Sequence, residues 1–210
     1  MQATTARALK ERRRHARRGR SGSERLAFLR GFLKNPVMVG SVIPSSRKLI
    51  DKMLGPVDWD NTKLFVEYGP GVGTFTRVIL QRLPEDARLV TIDTNAEFTA
   101  FLKESLDDPR LIAVTASAAD VEKVLSDRGL PKADYILSGL PFSTLPPGVG
   151  DAIGAATSRA IRPGGAFLVY QFSPKVRNFI APVFERIERG FEWLNVPPAT
   201  LFWAWREPAE

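Results

Sequence analysis

Residues 65–76 read FVEYGPGVGTFT: an apolar run, an acid, three glycines at alternate positions, and the start of a segment with helical periodicity. Gly69, Gly71 and Gly73 accept positive φ and put no side chain between the backbone and a bound group. A strand that turns on such residues into a helix can cradle a nucleotide-like ligand; a tight strand–helix turn with no ligand uses glycine as well. Outward from this turn the pattern repeats. KLFVEY (63–68) leads to TFTRVILQRL, RLVTID (88–93) to AEFTAFLKESL, and RLIAVT (110–115) to AADVEKVLSDRG. ADYILSG (133–139) leads to VGDAIGAATSRAI, and GGAFLVYQF (164–172) to a helix-length PKVRNFIAPVFERIE. Strands alternating with helices predict an α/β fold, a mostly parallel sheet with helices on both faces. FEWLNV (191–196) and TLFWAWR (200–206) then predict an antiparallel hairpin at one sheet edge.

Composition limits the chemistry. The chain has 210 residues, 44% of them hydrophobic, enough for one domain with a proper core and a small extension. It has no cysteine and a single histidine, His15, which argues against disulfides, a metal centre and a Ser-His pair. The net charge of +7 is unevenly placed. Residues 1–34 carry eleven Lys/Arg and two Glu, whereas the rest carries nineteen basic and twenty-one acidic residues. The excess positive charge belongs to the arm, so no broad basic face is expected on the body.

Acids stand where a nucleotide-like ligand needs acceptors. Glu67 precedes the glycines, and the second strand ends at Asp93, placed to accept ribose hydroxyls. The fourth strand ends in SGLPF (138–142), and IRPGGAFLVY opens the fifth. Over residues 62–206 this set resembles the class I S-adenosylmethionine-dependent methyltransferases, with their Rossmann-like sheet. The resemblance implies that Glu67, Gly69, Gly71 and Gly73 hold the methionine and ribose end. It gives Asp93 the ribose hydroxyls, with Thr94 and Asn95 beside it. Ser117 and Ala118 flank the adenine, where Asp120 is an alternative. Ser138, Gly139, Ser41 and Ser45 complete the cofactor set, and Leu140, Pro141 and Phe142 form the acceptor turn. A dinucleotide enzyme is the competing reading, disfavoured because G-P-G-V-G-T departs from G-x-G-x-x-G.

Two subfamilies fit: the rRNA adenine dimethylases and the bacterial phospholipid N-methyltransferases. The former carry Asn-Leu-Pro-Tyr at the acceptor turn, where the amide binds the adenine amine and the ring stacks on the flipped base. This chain has Gly139-Leu140-Pro141-Phe142, and Gly139 offers no amide. The dimethylases also continue into a helical RNA-binding domain, and this sequence closes at Glu210. Residues 32–54, FLKNPVMVGSVIPSSRKLIDKML, resemble the phospholipid enzymes' entry segment, so Gly40 to Ser46 would close over the cofactor. Pro44-Ser45-Ser46 also reads as the N-cap of the next helix.

The expected reaction is methylation of phosphatidylethanolamine, stepwise to phosphatidylcholine, with S-adenosylhomocysteine as the product. Ornithine-lipid methylation and rRNA adenine methylation are the alternatives. No metal is required. The attacking amine must be neutral, and with no histidine in the body the candidates for its proton are Tyr68, Tyr170, Ser143, Tyr135, water or a lipid phosphate. The tyrosine rings also offer cation–π contact to a growing quaternary ammonium; ordinary half-buried strand tyrosines are the bland alternative.

The arm fits a bilayer. Leu26, Phe28, Leu29, Phe32 and Leu33 fall within about 160° of a helical wheel; Arg25 intrudes on that arc, and Arg30 flanks it from outside. An apolar stripe behind a polybasic segment supplies two signals for peripheral binding, at roughly 1 kcal/mol per basic residue near an anionic surface. A solvated tail, an RNA-binding arm and an organelle transit peptide are the alternatives. The expected organisation is a membrane-binding extension at 1–34, a lid at 35–61 and the methyltransferase domain at 62–210. The expected partners are anionic lipids and a phospholipid substrate rather than nucleic acid. The expected location is the cytoplasm, on the inner face of the cytoplasmic membrane. No apolar run is long enough to span that membrane.

Overall fold

A computed structural model describes residues 46–171, 176–195 and 197–208. The expectations for the basic arm, the stripe from Arg25 to Leu33, Ser41 and Ser45 lie outside them. The chain runs α1 (Arg47–Leu54), β1 (Leu64–Tyr68), α2 (Thr74–Arg82), β2 (Arg88–Asp93), α3 (Ala96–Ser105) and β3 (Leu111–Thr115). It continues through α4 (Val121–Ser126), β4 (Ala133–Ser138), α5 (Val149–Ala160), β5 (Ile161–Gln171), α6 (Arg177–Ile180), β6 (Arg186–Glu192) and β7 (Ala199–Trp205). Short 3₁₀ turns stand at Ala118–Asp120 and Phe142–Thr144. Among the described residues no helix is long and apolar enough to cross a membrane.

Seven strands form one sheet in the order β3-β2-β1-β4-β5-β7-β6. The first five are parallel, and β7 runs antiparallel to both β5 and β6. This is the Rossmann-like class I methyltransferase sheet that the strand–helix alternation predicts. Period-two alternation sends Val66, Tyr68, Ile136 and Phe167 to one face, under α4, α5 and α6. Phe65, Leu137, Leu168 and Leu201 face the other way, under α1 and α2. Burying a side chain such as Phe65 or Phe167 stabilises the fold by about 2 kcal/mol.

Polar contacts set the registers. Asp134 accepts from Lys63 N and Leu64 N, both at 2.8 Å, and pairs with Arg162 Nε at 2.5 Å, joining the starts of β1, β4 and β5. Ser46 caps α1, its Oγ accepting from Leu49 N at 3.2 Å, as the N-cap reading of that segment requires. Trp203 Nε1 donates to Met53 O at 2.9 Å and ties α1 to β7.

The C-terminal part differs from expectation. The segment 174–188 predicts one helix, but α6 has only four residues and β6 already begins at Arg186. Ala181 keeps helical backbone, with φ −61° and ψ −31°, but Pro182 has no N–H to continue the helical ladder, and the helix stops there. The unpaired side of β7 then takes RIERGFE as an edge strand. In consequence Trp193 and Leu194, expected inside a strand, form the β6–β7 turn.

Candidate active site

The carboxyl ends of β1, β2, β3 and β4 lie side by side. Ladder bonds continue past each strand end: Gly69 N to Ile92 O at 2.9 Å, Ala116 N to Asp93 O at 3.0 Å, and Gly139 N to Tyr68 O at 3.1 Å. Strand order reverses between β2-β1 and β4-β5, and in such sheets the crevice opens at that point.

All three glycines of the turn have positive φ, 65° at Gly69, 54° at Gly71 and 80° at Gly73. Gly73 starts α2, and a Cβ there would stand 2.7 Å from Leu102 Cδ2. Among the described residues nothing stands within 4 Å of where a Cβ on Gly71 would be. The turn is clamped from behind by Arg77, whose Nη1 donates to Val72 O at 2.6 Å and Gly73 O at 3.0 Å.

Two carboxyls border this turn. Asp93 Oδ1 accepts from Asn95 N at 2.8 Å, and the Gly71 backbone N–H also bonds the side chain. Burial nevertheless pushes its pKa above the usual carboxylate range. Glu67 is 3% exposed, and its Oε2 accepts from Thr76 Oγ1 at 2.6 Å. Burial raises its pKa from 4.5 to about 7 against the Thr76 bond, and the charge of Asp93 adds to the rise. A buried carboxyl beside a half-buried one that raises its pKa suits a ligand that brings positive charge and hydroxyl donors.

The acceptor turn is built from the neighbouring strand. A Cβ on Gly139 would run into the Tyr170 hydroxyl, with the ring carbon Cζ at 3.0 Å. Tyr170, near the end of β5, stacks on Phe75 of α2 with ring centroids 5.0 Å apart. Gln171 Nε2 donates to Leu140 O and anchors the turn to the last residue of β5. Leu140 also meets the glycine turn, its Cδ2 lying 3.0 Å from where a Cβ on Gly69 would be.

Several expected roles are corrected by this geometry. Tyr68 is fully buried on the α5 side, its hydroxyl 3.2 Å from Thr157 Oγ1, and burial pushes its pKa up, so it cannot take a proton from a substrate. Tyr135 is buried too, and its hydroxyl accepts from Asp58 N at 3.1 Å. Phe142 is 2% exposed and stacked on Phe179 at 5.7 Å; it is core, not a platform for an acceptor. Ser138 is wholly buried, with Oγ accepting from Leu140 N at 3.2 Å, so its hydroxyl holds the turn. Ser117 caps the following 3₁₀ turn through Ala119 N, Ala118 is buried beside it, and Asp120 is exposed. Asn95 caps α3 through Glu97 N at 2.8 Å, Thr94 and Ser143 are exposed, and Pro141 is half-buried. Thr76, Arg77, Phe75 and Gln171 were not singled out from sequence: Thr76, Phe75 and Gln171 act across elements, and the local contacts of Arg77 carry no distinctive residue pattern.

Sheet order, glycine turn and strand-end acids together define the class: a class I, S-adenosylmethionine-dependent methyltransferase. The residues fit that cofactor. The glycine turn would take its methionine and ribose end, Asp93 its ribose hydroxyls, and the buried Glu67 its positive charge. No family model matches the chain. It is similar to the ornithine lipid N-methyltransferase of Singulisphaera acidiphila, at 28% identity over 177 residues, covering 83% of this chain and 92% of that one. Its fold is similar to precorrin-6y C5,15-methyltransferase from Geobacter metallireducens, with TM-score 0.62, 15% identity, and 77% and 90% of the two chains covered. It is also similar to the T. thermophilus 16S rRNA N2 G1207 methyltransferase, solved with AdoMet and guanosine, with TM-score 0.60, 19% identity, and 80% and 44% covered.

Proposed function

We propose that the protein methylates the amino group of a membrane-lipid head group, and that ornithine lipid is preferred over phosphatidylethanolamine. The observation that carries this reading is the acceptor turn. Gly139 offers no amide to an adenine amine, and Phe142 is buried in the core rather than free to stack on a base. An alkyl amine needs neither, because its lone pair is not delocalised into a ring. The similarity to an ornithine lipid N-methyltransferase along most of both chains supports the choice of head group.

When bound, S-adenosylmethionine supplies a methyl group on a sulfonium centre and leaves as S-adenosylhomocysteine. The protein's residues position and dehydrate the acceptor. Tyr170 Oη, set against Gly139, orients the amine, and the Phe75–Tyr170 pair gives the alkylated ammonium an aromatic wall. Glu67 and Asp93, whose pKa values burial raises in the free protein, lie beside the glycine turn and hold the methyl donor rather than the acceptor. Residues 1–34 bring the enzyme to anionic lipid on the inner face of the cytoplasmic membrane.

The test is incubation with a labelled methyl donor and, in separate reactions, ornithine lipid, phosphatidylethanolamine or ribosomal particles. Label in ornithine lipid is expected. Label in phosphatidylethanolamine alone would move the head group, and label in RNA alone would overturn the lipid reading. Removal of residues 1–34 should abolish sedimentation with phosphatidylglycerol vesicles.

A further inference from the structure

Trp193 and Leu194 are 76% and 63% exposed, the exposed large hydrophobics among the described residues. Neighbouring apolar side chains left in water on one short turn mark a contact surface rather than chance exposure. Their position in the sheet says where that contact faces. Gln171, which holds the acceptor turn through Leu140 O, pairs with Thr200 at the start of β7. Ala199, the residue before it, pairs with Glu192, and Trp193 follows directly. Because β7 is antiparallel to β5, the β6–β7 turn lies on the same edge of the sheet as the strand ends that form the site.

The turn is held in place. Phe191 and Trp193 pack ring to ring with centroids 4.3 Å apart. Leu194 N donates to Glu192 Oε1 at 3.0 Å, and Asn195 Oδ1 accepts from Ser46 N at 2.9 Å. Lys52 Nζ donates to Phe191 O at 2.6 Å and lies 3.7 Å from Glu192, which neutralises that acid. Arg47 and Lys48, exposed in the first turn of α1, follow Ser46 directly. The chain enters Ser46 from residues 1–45, which carry eleven Lys/Arg against two Glu. Tryptophan and leucine flanked by cations suit an anionic bilayer surface, where the indole sits at head-group depth and the cations meet phosphates.

We infer that the β6–β7 turn, with Trp193 and Leu194 at its tip, inserts into an anionic lipid bilayer and seats the rim of the site on it. This rests on the lipid reading above: a substrate held in a bilayer reaches the sheet edge only where that edge meets the membrane. It is a contact additional to residues 1–34, and it orients the site rather than merely recruiting the protein.

The chain's lack of cysteine allows a direct test. Leu194→Cys in the full chain, labelled with an environment-sensitive dye, should shift to shorter wavelength and brighten on phosphatidylglycerol vesicles. The double variant Trp193→Ser/Leu194→Ser should bind those vesicles about tenfold more weakly and methylate vesicle-embedded lipid about tenfold more slowly. Its melting temperature, and its rate on a short-chain amine lipid below its micellar concentration, should stay within error of the parent. Vesicle binding with no dye response, or a double variant that binds and methylates like the parent, overturns the inference and leaves the lipid reading standing. A dye response to protein concentration without vesicles assigns the turn to a second copy and also overturns it. No methylation of either lipid form removes the lipid reading and this inference with it.

Discussion

The turns after β1 and β4 leave the same edge of the sheet on adjacent strands, yet they are made in opposite ways. The β1 turn is shaped by its own backbone. Three left-handed glycines bend it, Arg77 ties it to its own helix, and no described residue stands within 4 Å of where a Cβ on Gly71 would be. The β4 turn is filled by side chains brought from elsewhere. Tyr170 fills the volume beside Gly139, Gln171 holds Leu140, and Phe142 sinks against Phe179. A turn that binds a constant ligand through backbone can be written in local sequence. A turn that selects an acceptor depends on which distant side chains fill it.

The strongest way to break this comparison is at Asp93. Asp93→Ala removes an acceptor for two ribose hydroxyls, and S-adenosylmethionine should bind about 1000-fold more weakly, roughly 4 kcal/mol by calorimetry. Unchanged affinity would remove the ribose assignment.

Glu67 tests whether the β1 turn stores a penalty for function. Its pKa is 4.5 when free and about 7 in the fold. Between those values the native state binds more protons than the unfolded state, so stability falls as pH rises through that window and levels off above it. The penalty above pH 7 is on the order of 3 kcal/mol. Glu67→Gln should therefore be more stable than the parent, by a margin that grows from pH 5 to pH 8, while binding the methyl donor less tightly. A margin independent of pH would show that the Glu67 carboxyl is not desolvated.

The β4 turn is sharpened by Tyr170. Tyr170→Phe should lower kcat on the lipid amine about tenfold, near 1.4 kcal/mol, with cofactor affinity within twofold. Gly139→Ala should do similar damage by displacing that hydroxyl, and the double variant should cost less than the sum of the two. Full additivity would separate the two positions. The smallest effect belongs to Tyr68→Phe. It loses the bond to Thr157, about 1 kcal/mol of stability, and should leave turnover within twofold. A loss of activity matching that of Tyr170→Phe would place Tyr68 in the site after all.

The placement of the residues proposed for the cofactor was legible in advance. Gly69, Gly71, Gly73, Glu67 and Asp93 lie at strand ends that period-two patterning locates, and the ladder brings those ends together. The acceptor half was read less well. Tyr68 and Tyr170 look alike in sequence, each near the end of an apolar strand. One points into the core beneath α5 and the other against the β4 turn, because pairing decides which parity faces which helix layer. Phe142 follows a proline and looked available, but the 3₁₀ turn rotates it inward.

Sequence alone determined the α/β class, the parallel sheet with its edge hairpin, the glycine cradle and its acids. Those features follow from local periodicity and from backbone conformations that only glycine adopts readily. Tertiary structure decided which tyrosine meets the crevice, what fills the space beside Gly139, and where the edge strand begins. It also decided that Trp193 and Leu194 stand in water on the rim of the site. Each of these depends on contacts between residues distant in the chain, and an apolar residue looks the same in sequence whether its partner is a helix, a neighbouring strand or a bilayer.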